Sequence, residues 1–403
     1  MKKVILYNLK RLLPYSLVVL IISAAIGVFG LLLGPQIMWS PDGRYVGTYY
    51  ILFGVVTSDA FMPLVTLLTM PTCLFTAFMP LLIYGYRYKR QQADLFMAAP
   101  FSESVYRRIV LTIGCLLMLA SFTVSYWISV GSYFLRFATA KLPEGYYFVT
   151  ANFIYYLPAY VLMLLGVAAT YFIAAFLLGL GQDATTAIIT YSMTIAAFTL
   201  LPTAIAGYAE VAFYSTYYTD FFNKAMTLFK FDPFSWSSIV ETWMLPMFRM
   251  VDAPNLFDVE HYQLAGYSLM LYYAGGAGCG VLCYLLKERS GEWAGATPMR
   301  NYYVRIPIYV TAASAGLLMS TASVIGAQYE ILSIILTGAF GYLGLALYAH
   351  TFKLKFPDYL ALIIFGGVTL LGFIVRLIAN AALPNPYVAS EEYASIQSII
   401  QFL

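Results

Sequence analysis

Nineteen carboxylates, two histidines and four cysteines are the groups through which this chain could do acid–base, metal or redox chemistry. Their spacing offers little of any. No carboxylate falls in the middle of an apolar stretch, where a proton- or sodium-coupled carrier needs ionisable groups to hold its coupling ion. His261 and His350 fall on opposite sides of the expected membrane, which argues against an intramembrane metalloenzyme. Cys73, Cys115, Cys279 and Cys283 all lie in apolar stretches. Cys279 and Cys283 share a helix face, but nothing with metal-ligand character flanks them, and they are read as packing residues. The chain has no GxxxxGK(S/T) phosphate cradle and no soluble stretch of enzyme size. It is expected to be no enzyme and to hold no cofactor. If its work is active transport, ATP and Mg must be handled by a partner polypeptide, which needs a handle on this one.

The stretch YRYKRQQADLFMAAPFSESVYRR, residues 86–108, supplies such a handle. Arg87, Lys89, Arg90, Arg107 and Arg108 outnumber Asp94 and Glu103. Residues 90–99 can form a short helix with Asp94 polar and Leu95, Phe96, Ala98 and Ala99 apolar. Pro100 ends it, because the residue before a proline avoids the helical region. Ser102 can cap the next helix, with Glu103 in the first turn where the helix dipole favours an anion. The corner then presents Phe101 and Ser102 outward. A plain solvated loop whose lysines and arginines meet lipid headgroups is the alternative; it accounts for the charges, but less readily for two phenylalanines and a leucine around a rigid corner. As a docking element, its anchors are Leu95, Phe96 and Phe101, with Arg90, Asp94, Glu103 and Arg107 as rim charges.

The rest of the chain explains why this island stands out. Its 403 residues are 61% hydrophobic and only 10% charged, with a mean hydropathy of +0.77. A soluble domain keeps about a quarter of its residues charged, so this is a polytopic membrane protein of all-α type. Apolar stretches of membrane-spanning length predict nine spans, at about 13–34, 61–85, 109–135, 153–180, 184–207, 263–286, 306–327, 330–350 and 359–384. The first is read as a retained anchor rather than a signal peptide, because its apolar run is too long. With the N-terminus inside, cytoplasmic segments hold 15 Lys and Arg and outer segments six, which predicts a cytoplasmic N-terminus and an extracellular C-terminus. Arg376, inside span 9, is read as a snorkelling anchor. Pro63, Pro71 and Pro80 predict a kinked span 2. Gly30/Gly34, Gly276/Gly280 and Gly338, Gly341 and Gly344 predict close helix contacts, within the chain or across a dimer seam. Residues 208–262 form a long outer segment, part of which (208–232) is expected to lie as short amphipathic helices at the interface. The surplus of Tyr and Phe fits interfacial belts, or an internal path for amphipathic cargo.

On these residues the chain resembles the membrane permeases of type-2 ABC exporters. That family carries a coupling helix between its second and third spans, and Lys89, Asp94, Leu95, Pro100 and Ser102 match its pattern. Glu103 stands where the family prefers a basic residue. KERSGEWAGATPMRNYYVRIP (287–307) is similar to an E-x-A-G loop of a subgroup from Gram-positive bacteria, through Glu292, Ala294 and Gly295. The resemblance implies a six-helix core over 1–286 with the outer segment 208–262, a cytoplasmic loop at 287–305, three extra helices over 306–384 and an extracellular tail at 385–403. Longer relatives carry an extracellular domain near that tail, of which this chain is expected to be a shortened version. It also implies a bacterial plasma membrane, an ABC-type ATPase subunit as partner, a second permease copy or paralogue, and surrounding membrane lipids, with no nucleic acid. The expected role is ATP-driven export or extraction of an amphipathic, peptide or lipid-like substrate. The alternative is a non-transport scaffold or sensor whose basic loops hold a cytosolic protein. A secondary carrier is a distant third.

Overall fold

The computed structural model describes residues 2–33, 36–39, 45–50, 55–57, 64–88, 103–139, 147–148, 156–181, 183–213, 259–285, 302–321, 326–349 and 351–382. Among them nine helices have 20 residues or more. They are α1 (Lys2–Leu33), α2 (Leu64–Ile83), α4 (Glu103–Thr139), α5 (Tyr156–Gly179), α6 (Ala184–Phe213), α7 (Val259–Leu285), α8 (Tyr302–Thr321), α9 (Gly326–Ala349) and α10 (Phe356–Ala382). A single turn, α3 (Gly85–Tyr88), follows α2. Each long helix overlies one of the nine expected spans.

Among the described residues, seven helices are long and apolar enough to cross a membrane, over Val4–Val28, Ser104–Ser132, Tyr160–Gly179, Ala184–Tyr208, Gly266–Leu285, Leu332–Ala349 and Phe356–Arg376. The protein is therefore a multi-pass, mainly helical membrane protein. In α2 the described side chains form a shorter apolar run, Leu74–Ile83. Helices also outrun their spans: α1 starts at Lys2 and α4 at Glu103, because polar end turns remain helical after the apolar run stops. Pro71 and Pro80 lie within α2, and Pro63 just precedes it.

A small antiparallel sheet was not anticipated. Strands β1 (Gln36–Trp39), β2 (Tyr45–Tyr50), β3 (Val55–Thr57) and β4 (Tyr147–Phe148) pair in the order β3-β2-β1-β4. Gln36 faces Tyr49 and Thr48 faces Thr57, with an irregularity between Met38 and Trp39. Met38 faces Phe148, so the sheet ties the α1–α2 connection to the α4–α5 connection. The strands are rich in β-branched and aromatic residues, and Ser40-Pro41-Asp42-Gly43 stands between the first two.

The chain divides into two compact units. The first comprises residues 1–184 and 231–296, and the second 185–230 and 297–403. By packing, the long helices group as five (α1, α2, α4, α5, α7) and four (α6, α8, α9, α10). The fifth span thus belongs with the last three.

In the first unit α1 lies along α4. Leu12, Ser16, Val19 and Ser23 are buried on one stripe of α1, and Ser121, Ser125 and Ser129 on one stripe of α4. Ser121 Oγ donates to Ser16 O at 2.9 Å, which small residues at both faces make possible. Leu6, Leu13, Leu17 and Ile21 turn outward, as lipid contact requires. On α7, Gly276 packs against Ala169 and Gly280 against Phe172 of α5, so this glycine pair serves intramolecular packing. Part of the aromatic surplus fills the α4–α5 seam: Tyr126 meets Trp127 edge-on at 5.3 Å and Tyr160 at 5.4 Å.

In the second unit Gly316 of α8 approaches the Phe365 carbonyl of α10, and Gly372 of α10 meets Ser320. Ile308, Leu345, Ala346, Tyr348, Leu354 and Ala361 form the core. Thr311 Oγ1 donates to Met193 O of α6 at 3.0 Å, and Tyr208 OH to Gly372 O at 2.8 Å. Gly338 and Gly341 touch Phe365 and Leu362, while Gly344 faces open space. Arg376 Nη1 donates to Ser320 O at 3.2 Å, an anchoring role for that intramembrane charge.

Candidate functional site

The expected coupling residues Asp94, Leu95, Phe96, Pro100, Phe101 and Ser102 lie outside the described residues, as do Glu292, Ala294 and Gly295. Glu103 is the first residue of α4. The structure does describe both roots of the 89–102 segment. They emerge from one end of the first unit, where α1 and α4 begin and α2, α5 and α7 end.

Helices that end leave their last carbonyls without intrahelical partners. At this end, side chains from neighbouring elements supply the donors. Arg11 Nη2 of α1 donates to Leu82 O at 2.9 Å and Ile83 O at 3.4 Å, closing the end of α2. Tyr88 OH of α3 donates to Leu178 O in the last turn of α5 at 3.0 Å. Arg108 Nε of α4 donates to Tyr284 O in the last turn of α7 at 3.1 Å. Cations at helix C-termini are also favoured by the dipole.

Hydroxyls extend this frame. Tyr106 OH donates to Asn8 Oδ1 at 3.0 Å in a buried contact, and Asn8 Nδ2 reaches Val4 O at 2.9 Å. Thr112 Oγ1 lies 2.8 Å from both Arg108 O and Tyr284 OH. Because Thr112 directs its one hydroxyl hydrogen to Arg108 O, it accepts from Tyr284 OH. Deeper, Tyr171 OH donates to Leu111 O at 2.7 Å. The two roots are thus held by α1, α5 and α7 together.

Arg107 departs from expectation. Taken from sequence as a rim charge, it is only 5% exposed. It shares the inward stripe of α4 with Tyr106, Val110 and Leu111, whereas Arg108 next to it faces out. Arg11, Tyr88, Asn8 and Tyr284 were not singled out from sequence. Their acceptors are mostly backbone carbonyls, which every residue carries, so no residue pattern marks them.

Among its described residues the end offers no nucleophile paired with a base. Cys115 and Cys283 are buried, and among the described residues no group of three His, Cys, Asp or Glu could hold a metal. What it offers is a set of hydrogen bonds that fasten Tyr88, Tyr106 and Arg108, close to the two described roots, to neighbouring helices. Comparison with protein-family models, curated proteins and solved structures finds no match to this chain.

Proposed function

We propose that the chain is the transmembrane subunit of a type-2 ABC exporter, with residues 90–103 docking a separate ATPase. The observation that carries the reading is the mount: Tyr88, Tyr106 and Arg108 tie both roots of that segment to three other helices. A docking element transmits force only if its base does not yield. A loop that merely met lipid headgroups would need no such fastening. The residues Asp94, Leu95, Phe96, Pro100, Phe101, Ser102 and Glu103 then form the docking surface, with Glu292, Ala294 and Gly295 as a second contact. ATP and Mg belong to the partner chain, and a second permease copy or paralogue completes the transporter. In this reading the protein lies in a bacterial plasma membrane with its N-terminus cytoplasmic and its C-terminus outside. All nine long helices cross, and the cargo is amphipathic, peptide or lipid-like.

The test is isolation of the tagged chain in mild detergent from its native membrane. Retention of an ABC-type ATPase, lost in the Phe96→Ala, Phe101→Ala double variant, supports the reading. Capture of a cytosolic protein with no nucleotide-hydrolysing subunit favours the scaffold instead.

A further inference from the structure

The turn between α9 and α10 combines rigidity with exposure. Thr351 N donates to Ala346 O at 3.1 Å, a wrap-back that closes α9. Tyr342 OH donates to Phe352 O at 2.6 Å, and Lys353 N to Thr351 Oγ1 at 3.1 Å. Lys355 N donates to Asp358 Oδ2 at 3.2 Å, the return half of a capping box opening α10. Asp358 is in turn paired with Arg305 at 3.1 Å, and Leu354 is buried in the core of the second unit.

A turn so fastened has little freedom to hide its remaining side chains. Phe352 is 72% exposed and Phe356 73% exposed, on either side of the buried Leu354. Lys353 and Lys355 are exposed between them. The Arg305–Asp358 pair cancels its own charge, so the two lysines leave the turn positive. The flanking spans end at Ala349 and resume at Phe356, which places these rings and ammonium groups at the boundary of the apolar layer. Phenylalanine rings there sink among the acyl chains while lysines stay at the phosphates.

We propose that residues 351–356 form a built-in recognition site for the headgroup of an anionic phospholipid. The rings hold the turn at the interface and the lysines select charge. A protein partner fits less well, because Phe356 already belongs to the span and its ring faces the lipid boundary.

Phe352→Trp in the full chain, in bilayer nanodiscs, places a reporter on the turn. Its quenching is read as the excess over the parent chain with its native tryptophans. Brominated phosphatidylglycerol and brominated phosphatidylcholine are compared at equal mole fraction. The expected result is quenching by both, with phosphatidylglycerol effective at a lower fraction. That preference should fall about five-fold for each lysine removed in Lys353→Gln and Lys355→Gln. The Lys353→Arg, Lys355→Arg variant keeps it, which separates charge selection from misfolding. Equal quenching by the two lipids overturns the proposal, as does a preference that survives loss of both lysines. Absence of quenching by either lipid overturns it in favour of water or a protein partner.

Discussion

Arg11, Arg108 and Arg376 do the same work in three places, each donating to carbonyls in the last turn of another helix. An unmet carbonyl costs several kcal/mol in a membrane, so a long side chain ending in a rigid fork of donors is well spent there. Asp358 is different, since its charge is paired in a buried site. Asp358→Ala should strand Arg305 and cost about 3–5 kcal/mol, whereas Arg305→Met with Asp358→Ala should recover much of it. Thermal unfolding in detergent measures both. Glycines separate equally cleanly. At Gly276 an added methyl meets the Cβ and backbone of Ala169, so Gly276→Ala should cost about 1–3 kcal/mol. At Gly344 it meets nothing, and Gly344→Ala should be neutral or stabilising by up to about 1 kcal/mol. Sequence showed both glycines as helix-contact signals and could not tell them apart, because the neighbour comes from a helix distant in the chain.

Among elements, the spans were legible because exclusion of charge over 20 residues is a property of the segment itself. All nine long helices lie where that pattern put them. Their polar extensions were not legible, since hydropathy marks where the apolar layer ends and not where hydrogen bonding does. Hydropathy does not mark the sheet, because its strands are too short to register beside the spans; the β-branched, aromatic runs around Pro41-Asp42-Gly43 carry the usable signal. α6 likewise continues to Phe213, past the expected limit of span 5, and takes in the first residues of the segment expected to lie flat. The 90–103 segment is where an element-scale prediction bears on function. Truncating a buried aromatic anchor costs about 2 kcal/mol or more, roughly 30-fold in affinity. On the proposed function, Phe96→Ala with Phe101→Ala should therefore release the proposed ATPase partner or uncouple its hydrolysis from transport, while the thermal transition of this chain stays put. Neutralising Arg87 and Lys89 should change far less. Full ATPase association and activity in the double variant would reduce the segment to a lipid-facing loop.

For the whole molecule, the proposed orientation rests on the distribution of basic residues and is open to direct measurement. Cysteines introduced at Gln92 and Val240 should react with an impermeant thiol reagent from the cytoplasm and from the exterior respectively. Reaction of both from one side would contradict the proposed topology. Which helices pack together was beyond a single sequence. Every span reads as apolar all round or nearly so, and in lipid the faces that meet are marked by small residues whose partners are not encoded locally. The grouping of five helices with four could be seen only in three dimensions.

That grouping is interleaved along the chain, which sets an order of assembly at the ribosome. α6 is synthesised before α7 but packs with α8 and α10, which come after it. Met193 meets Thr311, 118 residues downstream, so at about 5–20 residues per second its partner emerges roughly 6–24 seconds later. Tyr208 waits longer, for Gly372. During that interval α7 can complete the first unit while α6 stands in lipid without its own. Its threonines are suited to waiting: Thr190, Thr194, Thr199 and Thr203 each donate to a carbonyl one turn back in the same helix. No hydroxyl among these four needs a neighbour to be satisfied, so α6 can be inserted early and held until the end of the chain arrives to claim it.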